Sequence, residues 1–247
     1  MNAKQARAAL VTGAGRGIGE ACARALSAAG HHVWVNDIDE PEALRVAREL
    51  GGTPAVGDVT TPSDWIAPVL DCGPLHVLVH SAGYDLETPL ADGDVDAFDR
   101  MLRLQMSAPF ELTSRLLPLL TKARGAAVIF ISSVQGEQTY PHMAAYAGAK
   151  AGQLGMVKSL ALELGAAKIR VLAVSPGYID SRLMEAWIQS TPNPAETRAH
   201  ADALHPLGRI GTPADVGALV AFLASPAAEF INGTNIVIDG GLSARYP

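Results

Sequence analysis

The chain of 247 residues is 49% hydrophobic and 18% charged, with a formal net charge of -6. That much apolar mass builds a full core without disulfides or a structural metal. An acidic balance with no block of like charge excludes a phosphate-backbone binder and a membrane-surface protein, so neither nucleic acid nor membrane is expected as a partner.

From the amino terminus, an apolar strand is expected over 8–12, close enough to the start to leave no room for a signal peptide. The stretch that follows, LVTGAGRGIGEA, opens a helix expected over 17–29. Gly13, Gly17 and Gly19 allow a tight turn, a close backbone approach to a pyrophosphate and close packing of helix on sheet, with the phosphates at the helix's positive end. Ile18 stands where a strict G-x-G-x-x-G template has its third glycine, so the signal rests on placement after the first strand. A second strand over 32–36 runs into VWVNDID and puts Asp37 eighteen positions after Gly19. A carboxylate there accepts hydrogen bonds from an adenosine ribose and repels a 2′-phosphate, which favours NAD over NADP. An Asx turn or helix cap before Pro41 is the structural alternative, open to Asp37 and Asp39 alike. Arg16 points the other way, because a guanidinium in the glycine loop pairs with a 2′-phosphate. No Arg or Lys accompanies Asp37 between residues 31 and 44, and NAD remains the expected cofactor.

Farther along, a helix over 41–50 leads to a third strand over 53–56, after which Asp58 and Val59 would flank an adenine. Helices over 63–70, 95–122, 144–164 and 213–224 alternate with strands over 75–80, 126–132, 169–175 and 235–239. Apolar strands buried on both faces, each followed by a helix, describe an α/β doubly wound parallel sheet of about seven strands with helices on both faces, in a single domain over 1–247. An insertion at 180–207 breaks the rhythm with TPNP at 191–194 and with Leu183, Met184, Trp187 and Ile188 on one side of a short helix. It reads as a lid over a pocket or as a packed excursion. The apolar runs, such as AAVIFI at 126–131, fall far short of the roughly 20 residues that cross a bilayer. Cys22 and Cys72 show no C-x-x-C spacing and the seven histidines no ligand spacing, so no metal is expected and a reducing cytoplasm fits.

One stretch raises a chemical question: YAGAK, 146–150, holds Tyr146 and Lys150 four apart, on one face of a helix. A free phenol titrates near pH 10 and is a poor proton acceptor at neutral pH. A fixed ammonium beside it favours the phenolate and brings it towards working pH, as acid-base catalysis requires. Surface decoration is the alternative for the pair taken alone.

Together, T-G-x-x-x-G-I-G at 12–19, DV at 58–59, SAG at 81–83, Ser133, Tyr146-x-x-x-Lys150 and PGYIDS at 176–181 resemble the classical short-chain dehydrogenase/reductase family, over essentially the whole chain. The resemblance implies a Rossmann-type fold, with Tyr146 as general acid or base. Lys150 would lower the tyrosine's pKa together with the nicotinamide cation and bond the nicotinamide ribose. Ser133 would hold the substrate oxygen, its neighbour Ser132 being structural. Ser81, Ala82 and Gly83 would line the cofactor, and Pro176, Gly177, Ile179 and Ser181 would cradle the nicotinamide. The chain departs from the family pattern at Gln105, where an asparagine commonly supports a proton-relay water through its backbone carbonyl. It also has His80 and Ser81 in place of two amides, His80 reading as a packed strand-end histidine, and Leu172 in place of an asparagine.

The expected function is NAD(H)-dependent interconversion of a secondary alcohol and a ketone by a homotetramer. The alternative class is a dinucleotide-binding sensor or scaffold that has lost turnover. Gln135, Glu137, Gln138, Tyr140 and His142 suit a polyol, sugar or sugar acid, whereas the apolar face of the 183–188 segment, with Leu183 and Trp187, suits a cyclic or aromatic ketone or a 3-oxoacyl thioester.

Overall fold

The computed structural model describes residues 7–244. Seven strands, β1 (Arg7–Val11), β2 (His31–Val35), β3 (Thr53–Pro54), β4 (Leu75–His80), β5 (Ala127–Ile131), β6 (Arg170–Pro176) and β7 (Asn235–Ile238), lie in the order 3-2-1-4-5-6-7, and every pair is parallel. The helices are α1 (Gly17–Ala28), α2 (Glu40–Leu50), α3 (Ala67–Leu70), α4 (Val95–Leu102), α5 (Ala108–Lys122), α6 (Ala144–Leu164), α7 (Arg182–Ser190), α8 (Pro194–Leu204) and α9 (Pro213–Ala224).

Side-chain alternation along the central strands sends two apolar sets in opposite directions. Val11, Val33, Ile129 and Leu172 meet Cys22 and Leu26 of α1, Val46 of α2 and Val216 and Val220 of α9. Leu10, Leu78, Phe130 and Val171 meet Leu112 and Leu116 of α5 and Val157 and Leu160 of α6. Strands covered on both faces need apolar residues at every position, which is why β5, AVIFI, is buried throughout. The chain winds outwards from β1 in both directions, β2 on one side and β4 on the other, and so creates a switch point at the strands' carboxyl ends. The glycine turn, Asp37, Ser81–Gly83, Ser133 and Pro176–Ser181 all follow strands at that edge.

Three expectations need correction. The third strand is two residues long instead of four, because the Asn36 side chain donates to the carbonyls of Ala55 and Gly57 (2.8 and 3.0 Å) where a longer strand would pair. The helix expected over 95–122 is interrupted by a π-helical segment, Arg103–Ser107. The insertion holds two helices instead of one, α8 beginning at Asn193, which caps it, and Pro194.

Candidate active site

The glycine turn is built by close backbone contacts. Gly13 has φ +63°, and a Cβ there would lie 2.8 Å from the Ala82 Cα; on Gly19 it would lie 2.0 Å from the Gly13 carbonyl oxygen. Only hydrogen fits at either place, so α1 starts directly against the loop. Thr12 Oγ1 accepts from the backbone N–H groups of Ser81 and Ala82 (3.1 and 3.2 Å), tying the loop after β1 to the loop after β4. Arg16, at the N-cap of α1, provides no side-chain acceptor. The first-turn N–H groups of α1 therefore lack a capping side chain, the arrangement a phosphate completes. Ile18 packs against the core beneath.

Asp37 uses both oxygens inside the chain: Oδ2 accepts from Gly15 N (2.8 Å) and Oδ1 from Asp39 N (2.9 Å). The Asx-turn reading is thus realised, and the carboxylate is held at the end of β2. Asp39 caps α2 through Glu42 N and also takes the Arg16 guanidinium in an ion pair. Asp58 Oδ1 accepts from the Thr60 N–H and hydroxyl (2.7 and 2.8 Å). Val59 is 7% exposed and packs in the core with Trp65 and Ile66, so little of it is left to face an adenine.

Ser133, just past the end of β5, and Tyr146, in the first turn of α6, lie near enough for the Ser133 hydroxyl to act on the phenol. The Lys150 Nζ lies 5.4 Å from the Tyr146 ring centroid and donates to the Ile131 carbonyl (2.8 Å). Ser132 donates to the Lys150 carbonyl (3.1 Å), which fixes α6 against β5 and makes this serine structural. In the chain by itself the Tyr146 phenol is pushed up to about 12 by burial; the Ser133 hydrogen bond opposes the rise and the Asp85 charge adds to it. Burial also pushes Lys150 down to about 7, against the Asp85 charge. Desolvation thus governs the phenol in the chain without cofactor, where an amine titrating near 7 carries only part of its charge at neutral pH.

Gln105 lies at the centre of the π-helical segment. In a regular helix its carbonyl would receive the N–H of residue 109, but that residue is Pro109, which has no N–H and whose ring crowds the same carbonyl. The ladder widens there, and the Gln105 carbonyl accepts from Gln153 Nε2 (2.6 Å). The Gln105 side chain reaches the Tyr84 carbonyl (2.7 Å) and packs beside Gly83. His80 is buried against Phe130, bonded to Thr113 (2.8 Å) and pushed down to about 3 by burial, as a packed strand-end histidine should be.

Pro176 ends β6, and Gly177 N continues the pairing to Ile238 O (3.1 Å). Ile179 is buried and bridges to Gly211; Ser181 caps α7 through Met184 N (3.2 Å). Gln135 accepts from Thr139 (3.1 Å), and His142 is exposed with φ +68°. In the insertion, Met184 and Ile188 turn inwards to Ala201 and Ile210. Trp187 stacks on Tyr178 (6.2 Å between centroids, 7° between planes), and Tyr178 stacks on Tyr140 and donates to its hydroxyl. The Leu183 side chain lies outside what is described. A cavity of about 130 Å³ lined by Val134, Gln138, Thr139, Tyr140, Leu242 and Ser243 adjoins this row; none of Ser133, Tyr146 and Lys150 lines it. The sequence reading gave no role to Thr12, Gln153, Tyr178 or Asp85, although Gln153 follows Lys150 by three residues on the same helical face.

A family model described as Enoyl-(Acyl carrier protein) reductase matches residues 13–243. The chain is 37% identical to L-fucose dehydrogenase of Bos taurus, over 96% of this chain and 89% of that one. It is 34% identical to cis-4-hydroxycyclohexanecarboxylate dehydrogenase of Sinomonas cyclohexanicum, over 96% and 97%. A crystal structure of a gluconate 5-dehydrogenase from Burkholderia cenocepacia J2315, in complex with NADP and tartrate, superposes with a TM-score of 0.88 at 28% identity, covering 97% of this chain and 96% of that one.

Proposed function

The chain belongs to the short-chain dehydrogenase/reductase family and is an oxidoreductase, and on that premise we propose that it interconverts a secondary alcohol and a ketone with NAD(H), through Ser133, Tyr146 and Lys150. The observation that carries this reading is the meeting of those three side chains at the sheet edge that also holds the glycine turn. The uncapped start of α1, Asp37 and the Pro176–Ser181 segment fit a dinucleotide laid along that edge. When bound, the cofactor supplies or accepts the hydride.

The protein's part is to place the substrate oxygen and manage one proton. Ser133 donates a hydrogen bond to that oxygen, opposing charge build-up on it. The Tyr146 hydroxyl gives its proton to the oxygen in reduction and takes one back in oxidation. Lys150, brought by burial to about 7, holds or releases a proton at Nζ beside the phenol at working pH. Turnover is tested by absorbance at 340 nm across sugars, polyols, cyclic alcohols and 3-oxoacyl thioesters with both nucleotides, beside an NADH binding titration.

For the cofactor, Asp37 and the ion pair of Arg16 with Asp39 support NAD. A preference of at least roughly tenfold in kcat/KM over NADP, about 1.4 kcal/mol, is expected. Asp37→Asn removes the charge while keeping an oxygen for Gly15 N, and should narrow the gap. Equal or reversed preference in the wild type would overturn the NAD assignment and point to Arg16.

A homotetramer is proposed on the exposed Phe98 of α4, Phe110 of α5, Leu162 of α6 and Phe222 of α9, aromatic and aliphatic surface of the kind that subunit contacts cover. Light scattering should give the mass of four copies; a monomer would contradict it. Among the described residues no helix is long and apolar enough to cross a membrane. Cys22 and Cys72 are free thiols, which supports a reducing cytoplasm.

A further inference from the structure

The loop after β4 brings an acidic side chain to the reacting groups. Tyr84 and Thr88 are both pinned: Gln105 Nε2 donates to the Tyr84 carbonyl (2.7 Å), and Thr88 N donates to the His142 carbonyl (2.5 Å). Thr88 Oγ1 also accepts from Ala145 N (3.4 Å), one residue before Tyr146. Asp85 and Glu87 therefore lie on a short span held at both ends by elements that carry the catalytic side chains, and both are exposed. The Asp85 charge acts on Tyr146 and on Lys150. Among the described residues no arginine or lysine forms an ion pair with Asp85 or Glu87. A carboxylate without an ion-pair partner thus sits on a span fixed to the elements that carry Gln105 and Tyr146, and its charge reaches Tyr146 and Lys150.

We infer that Asp85 is a specificity-determining residue: it accepts hydrogen bonds from substrate hydroxyls next to the reacting carbon and excludes substrates that carry a carboxylate there. The inference rests on the proposed alcohol–ketone chemistry and narrows its substrate to an uncharged polyhydroxylated compound, a sugar or polyol. Hydroxyl-to-carboxylate hydrogen bonds are about twice as strong as neutral ones, and that charge assistance is lost when the acceptor becomes an amide oxygen. A substrate carboxylate at the same place meets a like charge, reinforced by Glu87. Two of the similar proteins act, by their names, on hydroxy acids, gluconate and 4-hydroxycyclohexanecarboxylate, and one on the neutral sugar L-fucose. Asp85 places this chain with the latter.

The test compares neutral sugars and polyols with aldonates of the same chain length, using NAD in the wild type, Asp85→Asn and Asp85→Glu. Wild type should favour the neutral substrates by at least about tenfold in kcat/KM. Asp85→Asn should cut that ratio by at least about tenfold, chiefly through KM for the neutral substrates, with NADH binding retained. Asp85→Glu should preserve the ratio. A second readout separates this role from a merely structural one. The titratable groups around Asp85 are Tyr146 and Lys150 on α6 and Glu87 on its own loop. Removing its charge should move the pH profile of kcat for oxidation to lower pH, because Tyr146 and Lys150 then lose their protons more easily. Wild-type preference for aldonates, or turnover with a ratio and pH profile unmoved in Asp85→Asn, would overturn the assignment while leaving the alcohol–ketone chemistry standing. No turnover on any panel member with either nucleotide would overturn both.

Discussion

Tyr146→Phe is expected to lower turnover by roughly 10²–10⁴-fold, the range that a positioned acid-base group contributes. The ring is retained, and it packs beside Met101, Ala145 and Ala149, so the fold and the cofactor site should be undisturbed. What disappears is the hydroxyl beside Ser133 that is proposed to exchange a proton with the substrate oxygen. NADH affinity, followed by fluorescence titration, should change by no more than about twofold. Oxidation of the best panel substrate, followed from pH 6 to 10, should stay low throughout, because the remaining Ser133 hydroxyl is an aliphatic alcohol that does not ionise in that range. Activity close to wild type in this variant would remove the central element of the mechanism.

Lys150→Met is expected to act on both catalysis and stability, in opposite senses. Methionine keeps the length and apolar stem of the buried side chain but loses the Nζ that bonds Ile131 and faces the Tyr146 ring. Turnover and NADH affinity should both fall by more than about tenfold, if the amine serves the proton transfer and the cofactor ribose as proposed. In the cofactor-free fold the lysine is lowered from 10.5 to about 7, so between those values the unfolded chain binds more protons than the folded one. Wild-type stability therefore rises with pH through that window, and below it the cost of the buried charge is carried in full. The melting temperature of cofactor-free Lys150→Met should exceed that of wild type at pH 6, the gap closing as pH approaches 10. A gap that does not depend on pH would show that the buried amine does not control this site.

The strand-and-helix alternation was legible because each central strand is apolar at every position and each covering helix is periodic. The limits of β1 and β2 fall one residue earlier than expected, since Arg7 and His31 pair through the backbone although their side chains are polar. The start of α8 was written in Asn193, Pro194 and Glu196, the cap, first-turn proline and third-position acid of a helix start. The π-helical segment also had a local signal, because Pro109 lies four residues after Gln105. These signals were outweighed by helical periodicity over 95–122 and by the turn-like look of TPNP.

By itself the sequence determined the order of the motifs, the parallel sheet and the placing of Tyr146 and Lys150 on one helical face. Those follow from backbone geometry and short-range periodicity, which act within a few residues. Only the tertiary structure decided that Gln153 holds the Gln105 carbonyl across 48 positions of chain, that Asp39 takes Arg16, and that the loop carrying Asp85 is tied to Gln105 and to the start of α6. It also buries Tyr146, which raises the phenol in the chain without cofactor. Desolvation and long-range pairing depend on which distant segments the sheet order brings into contact, and no local pattern of residues encodes that.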